Sequence, residues 1–211
     1  MEALNTLFDK NKIWAKEITE TNPDFFKELA KAQSPKYLWI GCSDSRIPAS
    51  QLLGLQPGEI FVHRNIANMV IHTDLNCLSV IQYAVEVVKI QHIIICGHDS
   101  CGGVKAALGK HEYGLIDNWL RHIKDVYRSH QKEIDLLQDD DDKANLLAEK
   151  NVKEQVANIC NTAIIQKAWK TGQEVTVHGL MYSLETGLLK DLNISMNRLE
   201  QVQEIHQLIL K

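Results

Sequence analysis

The sequence predicts an α/β fold: a mainly parallel sheet of four to five strands flanked by helices, with a helical N-terminal arm. Three observations carry this. Residues 37–41, 60–63, 92–97 and 174–179 are short runs rich in β-branched or aromatic residues and bounded by turn formers. Helical patterns separate them, most clearly over residues 75–89, 116–127 and 151–170. That alternation favours a parallel sheet covered on both faces. Polar chemistry also gathers where the runs end, and ligands of open α/β sheets sit at the carboxyl ends of strands.

Taken in order, the elements begin with an apolar stripe of Leu4, Leu7, Phe8, Trp14 and Ile18, which reads as a helix. The segment from Thr21 to Asp24 stops it and starts another, with Asn22 as N-cap and Pro23 at the first helical position. Residues 1–33 form an arm that packs on its own domain or on a partner subunit. The first strand leads into Gly41-Cys42-Ser43-Asp44-Ser45-Arg46, and the second ends in His63-Arg64. The third leads into Gly97-His98-Asp99-Ser100-Cys101-Gly102-Gly103, and the fourth ends in His178-Gly179. A further strand is expected near residues 188–192. The Asp139 to Asp142 run reads as a solvated loop. It lacks the alternating oxygen ligands and the glycine of an EF-hand calcium loop.

Composition narrows the class. Hydrophobic residues make up 45% and charged residues 24%, which is ordinary for a globular chain and unlike a disordered one. The length suits a single domain over 1–211. No run approaches the ~20 apolar residues of a membrane span. The first residues lack an apolar block after a basic start, so the expected location is cytoplasmic. The net charge of −4 carries no nucleic-acid footprint.

Five cysteines in such a chain point to metal or catalytic use rather than a disulfide framework. Cys77, Cys96 and Cys160 read as core residues, because free cysteine packs as a small hydrophobe. Cys42, His98 and Cys101 read differently. His98 and Cys101 are three apart on one loop, and Cys42 ends another strand. Two thiolates and an imidazole suit tetrahedral zinc, and three protein ligands leave the fourth position open, as in catalytic sites. Zinc in such a site lowers the pKa of bound water from ~15.7 towards neutrality. Asp44 and Arg46 follow at two and four residues. A guanidinium fork would keep the carboxylate ionised and oriented. Asp44 could then accept a hydrogen bond from the hydroxide. Freed from Arg46, it could instead take the fourth zinc position and block it. Gly102-Gly103 opens a helix whose backbone N–H groups could hold an anionic oxygen.

With these residues in place, the chain resembles the β-class carbonic anhydrases. The family signatures Cys-x-Asp-x-Arg and His-x-x-Cys stand here as Cys42, Asp44, Arg46 and His98, Cys101, and the flanking Trp39 to Arg46 and Val62 to Asn68 also match. The resemblance implies reversible hydration of carbon dioxide to bicarbonate and a proton. It implies one Zn(2+) per chain on Cys42, His98 and Cys101, and an orienting dyad of Asp44 and Arg46. Gln33 and the Gly102 N–H would place substrate in a narrow apolar pocket matched by Phe61, Ile66 and Tyr83, partly across a dimer interface. The assembly implied is a homo-oligomer, a dimer or dimer of dimers, with the arm wrapping the partner.

A bacterial branch of the family has a second, inhibitory bicarbonate site, whose tryptophan, arginine and tyrosine match Trp39, Arg64 and Tyr182. Bicarbonate there would favour Asp44 on zinc. Two departures stand out. Asp99 adds a negative charge beside the zinc loop, and Leu180 stands where many relatives carry tryptophan. The competing readings are a non-catalytic zinc-stabilised oligomerisation or anion-sensing module, and a hydrolase of carbon disulfide type on the same scaffold.

Overall fold

The computed structural model describes residues 2–31, 33–44 and 46–209. The helices are α1 (Glu2–Thr21), α2 (Phe25–Lys31), α3 (Ala49–Leu53), α4 (Leu75–Gln82), α5 (Gly102–Leu108), α6 (Ile116–Ile134), α7 (Asp140–Cys160) and α8 (Ala163–Lys170). The strands β1 (Tyr37–Cys42), β2 (Ile60–Asn65), β3 (His92–His98), β4 (Thr176–Tyr182) and β5 (Leu189–Asp191) form one sheet in the order β2-β1-β3-β4-β5. β1 to β4 run parallel and β5 runs antiparallel to β4. The mainly parallel sheet expected from the sequence is present, with the last strand near its expected place.

Alternation along the strands divides their side chains between two faces. Leu38 and Ile40 of β1, Ile93 and Ile95 of β3, and Val177 and Met181 of β4 enter the main core. There they meet Ile81 of α4, Leu120 and Ile123 of α6, Val152 and Val156 of α7, and Ile165 of α8. Full burial of one such aliphatic side chain is worth ~1.5–3 kcal/mol. The opposite face holds a smaller cluster of Trp39, Ile94, Cys96 and Tyr182, on which α3 places Ala49.

The register decides what happens at the carboxyl edge. Gly41 of β1 lies beside Arg64 of β2 and Cys96 of β3. Cys42 therefore leaves the sheet next to the turn that follows β3. β4 runs three residues past Gly179 and brings Tyr182, rather than His178, level with His98. His178 is mid-strand, where its Nδ1 meets Ser195 Oγ at 2.8 Å.

Two sequence expectations need correction. The Asp139 to Asp142 run is not a loop but the start of α7. Asp139 is the N-cap, its carboxylate accepting from the N–H groups of Asp141 and Asp142 at 2.8 and 3.0 Å. Acidic residues are favoured in a first turn, because they face the positive end of the helix dipole. The helix expected over residues 151–170 is two helices. Thr162 caps α8, its Oγ1 accepting from the Ile165 N–H, and the break falls between Cys160 and Ala163.

The arm is helical as expected, but no residue of α1 is buried. Trp14 meets Phe26 of α2 edge-on, ring centres 5.5 Å apart. Among the described residues, no helix is long and apolar enough to cross a membrane.

Candidate metal centre

The ends of β1 and β3 deliver three metal-ligating side chains to one point. The ligand atoms of Cys42, His98 and Cys101 all lie within 4.8 Å of one another, and the two sulfurs are 3.9 Å apart. All three residues are buried. The His98 ring is oriented by its neighbour, Nδ1 donating to the Asp99 carbonyl oxygen at 2.7 Å. That leaves the lone pair on Nε2, which is buried with no hydrogen-bond partner. A buried polar atom without a partner is costly, and here it faces two thiols. The donor set of two sulfurs and one imidazole nitrogen fits zinc.

The electrostatics agree with a site built for a cation. The Cys42 thiol is held down to about 4, because its thiolate accepts from the Cys101 thiol and, against the cost of burial, is further favoured by the nearby His98 ring and by the Ala67 N–H. The Ala67 nitrogen stands 3.4 Å from the Cys42 sulfur. Cys101 is pushed up in turn, since it keeps its proton beside that thiolate. Burial opposes ionisation of His98, but the Cys42 thiolate outweighs it and the net shift is upward. By contrast, burial alone raises Cys96 and Cys160, the latter to about 12. Both are core residues, as their sequence setting suggests.

Beside the trio, Asp44 is paired with Arg46. Arg46 Nε lies 2.9 Å from Oδ1 and Nη2 lies 2.6 Å from Oδ2. The Arg46 backbone N–H adds a bond to Oδ1 at 3.1 Å. This fork holds the Asp44 carboxyl down to about 2. Asp44 is not among the residues converging on the metal position. The loop between Cys42 and Ile47 is held from below by Arg64. Its Nε donates to the Cys42 carbonyl at 2.7 Å, and its Nη groups reach the carbonyls of Asp44 and Ile47.

A cavity of about 600 Å³ reaches the trio at Cys42, lined also by Asp44, Arg46, Ile66, Gly102 and Leu120 among others. Of the expected pocket residues, Ile66 and Gly102 are in place. Phe61 and Tyr83 stack on each other with ring centres 6.1 Å apart and do not line this cavity, and Gln33 is exposed. Trp39 and Tyr182 are buried on the second sheet face. The Tyr182 ring lies 5.5 Å from that of His98.

The loop carrying His98 and Cys101 is held by residues that sequence reasoning did not single out. Asn145 of α7 accepts from the Ser100 N–H at 2.9 Å, where Ser100 has a left-handed backbone. Asp99, expected to add a negative charge beside this loop, accepts from the Leu184 N–H at 2.9 Å. A second trio, His63, Asp74 and Cys77, also lies within 4.8 Å, but its atoms have partners. Asp74 caps α4, Cys77 leans on the Met69 carbonyl, and His63 Nε2 meets the Asn65 amide. Among the described residues, none of the three ligand atoms of that trio is left without a partner, unlike His98 Nε2.

The carbonic anhydrase family model matches residues 37–189 of this chain. The chain belongs to the carbonic anhydrase family. It is 47% identical to a carbonic anhydrase of Emericella nidulans over 96% of this chain and 89% of that protein. The fold superposes at a TM-score of 0.88 on a tetrameric β-carbonic anhydrase of Sordaria macrospora, 39% identical, covering 93% of this chain and all of that one. It superposes equally, at 0.88, on the Coccomyxa β-carbonic anhydrase solved with acetazolamide. That enzyme is also 39% identical, with 93% of this chain and 89% of that one covered. The β-class of carbonic anhydrases is therefore shown by sequence and by fold together.

Proposed function

We propose that this chain catalyses the reversible hydration of carbon dioxide, with one zinc ion per chain held by Cys42, His98 and Cys101. The observation that carries the reading is the unpartnered His98 Nε2 facing two thiols, next to a carboxylate locked by Arg46. When bound, zinc supplies a nucleophile by acidifying a water to near neutral pH.

The chain's own residues supply the rest. Asp44, ionised at any working pH, is a fixed hydrogen-bond acceptor that aims the nucleophile. It is not a proton store, so the released proton leaves through solvent. Ile66, Ala106, Ile116 and Leu120 give the cavity an apolar wall suited to a small neutral gas. The Gly102 N–H, at the first position of α5, would receive the charge that develops on a substrate oxygen. The Asp44–Arg46 pairing favours the open site over the closed, non-catalytic module, in which the carboxylate would leave its fork.

Bicarbonate inhibition through Trp39, Arg64 and Tyr182 is part of the same reading. Arg64 links that trio to the loop carrying Cys42 and Asp44, and an anion there would compete with the loop carbonyls for the guanidinium. The arm acts as a clasp on a second subunit of a homo-oligomer.

The test is stopped-flow carbon dioxide hydration on zinc-quantified protein from mildly acidic to mildly alkaline pH, with and without added bicarbonate. The wild type should show a zinc-dependent rate that climbs with pH. Asp44→Ala should keep its zinc and lose about 10²-fold or more in rate. Arg64→Ala should be less sensitive to bicarbonate. A zinc-loaded wild type with no rate at any pH would overturn the enzyme reading, and undiminished bicarbonate sensitivity in Arg64→Ala would overturn the second site.

A further inference from the structure

Between β2 and α4 the chain makes a turn that no glycine eases. Ala67 and Asn68 both have left-handed backbones, φ 63° and 50°, and both are buried. For residues with a Cβ such conformations are strained and persist only when the surroundings enforce them. The result of this turn is specific: it points the Ala67 N–H at Cys42 Sγ.

A row of carboxamides on α7 grips the turn, together with the Asn65 amide, which brackets Met69, and Trp119, whose Nε1 donates to the Ile66 carbonyl at 2.9 Å. Asn151 and Gln155 are one helical turn apart and almost fully buried, at 0% and 1% exposure. Asn151 Nδ2 donates to the Ala67 carbonyl at 3.0 Å. Gln155 Nε2 donates to Asn151 Oδ1 at 3.0 Å, and Gln155 Oε1 accepts from the Val70 N–H at 2.8 Å. Asn158 continues the row, its Nδ2 donating to the Val70 carbonyl at 3.1 Å. Two buried amides on the apolar face of a helix are expensive unless every group is paired. Here their bonds fix the peptide between the two strained residues, through the Ala67 carbonyl, and the peptide that enters Val70.

We propose that Asn151 and Gln155 are positioning residues for the zinc thiolate. Through Ala67 they hold an N–H on Cys42 Sγ and so set how strongly that sulfur donates to the metal. The proposal rests on zinc binding at Cys42, His98 and Cys101. An N–H bond withdraws electron density from a thiolate, which weakens its donation and leaves the metal more acidic. Partners of this kind behind a ligand are worth about 10–100-fold in affinity or activity.

The test uses the full-length protein with cobalt(II) in place of zinc. The wild type should show an intense thiolate-to-cobalt charge-transfer band. In Asn151→Ala the sulfur loses its bond, its lone pairs rise in energy, and the band should move to longer wavelength. Zinc affinity, measured by competition with a chelator, should change by about 10-fold or more. Gln155→Met, which keeps the Asn151 amide but frees it to tilt, should move the band the same way by less, and it decides the question should Asn151→Ala fail to fold. Asn158→Ala removes only the outer member of the row, so it should lower stability and leave the band in place. An unmoved band in folded Asn151→Ala or Gln155→Met, or an equal displacement in Asn158→Ala, would overturn the proposal while leaving the zinc reading intact. A wild type without the charge-transfer band would remove both.

Discussion

At the scale of single residues, the site separates groups that look alike in the sequence by what each one faces. Cys42 and Cys96 are both buried thiols on neighbouring strands. One is held down to about 4, chiefly by the Cys101 thiol and helped by the nearby His98 ring and the Ala67 N–H, and the other is raised by burial alone. Asp44 and Asp99 both sit beside metal ligands. Asp44 is forked by Arg46, whereas Asp99 ties down the loop after β4. The fork has a consequence for pH. Arg46 holds Asp44 near 2, and losing Arg46 would let it rise towards the ordinary ~3.9, still far below neutrality. Asp44 is then ionised at every working pH with or without the fork. Arg46→Lys should therefore slow hydration by about 10–10²-fold through lost orientation, while the midpoint of the pH–rate profile stays where it is in the wild type. A midpoint displaced by about a unit would mean that Asp44 titrates in the working range and does not act as a fixed acceptor.

At the scale of elements, the carboxyl edge works because β3, β4 and α7 pack without slack. At Gly97, one residue before the ligand His98, an added Cβ would stand 2.6 Å from Met181 Sδ and 2.8 Å from Val152 Cγ2. Both are core side chains, on β4 and α7. Gly97→Ala should cost about 1–3 kcal/mol by overpacking, read as a lower denaturant midpoint, and should weaken zinc binding because His98 must move with the strand. Unchanged stability and zinc affinity would show that the three elements have room to spare. These packed strands are also where the sequence was most legible. Their β-branched runs and bounding turns located β1 to β4, and the Cys-x-Asp-x-Arg and His-x-x-Cys signatures held the three side chains that the fold brings together, Cys42, His98 and Cys101. The parts that stayed hidden depend on tertiary neighbours. Four consecutive aspartates look like a solvated loop until a helix dipole is behind them. Residues 151–170 keep an apolar pattern across a break that depends on Thr162 capping α8. The Ala67–Asn68 turn has no glycine to announce it. The row of Asn151, Gln155 and Asn158 was there to be read as amides at helical spacing between Val152, Val156 and Ile159. Its meaning needed the peptide it grips.

At the scale of the whole molecule, the arm and the pocket raise the same problem. α1 carries Leu7 and Phe8 at 60% and 55% exposure, together with Leu4, Ile13 and Trp14, and none of its residues is buried. An apolar stripe of this kind on a 20-residue helix needs a cover. In the homo-oligomer proposed above, that cover is another copy of the chain. The pocket is short of lining in the same sense, since Phe61, Tyr83 and Gln33 stand outside the cavity of their own chain. If a partner's arm holds two copies together, those residues can serve across the interface, and assembly and turnover become linked. Leu7→Glu with Phe8→Glu tests this without disturbing the core, because α1 contributes nothing to it. Each side chain is worth ~1.5–3 kcal/mol when buried, and the loss occurs once per arm. The wild type should scatter light as a dimer or tetramer of 24.0 kDa chains. The double variant should keep its helical circular dichroism and its zinc, dissociate towards a single chain on dilution, and lose activity along the same concentration curve. An unchanged mass would show that the arm does not hold the assembly. A monomer with full activity would show that each chain's own cavity is sufficient.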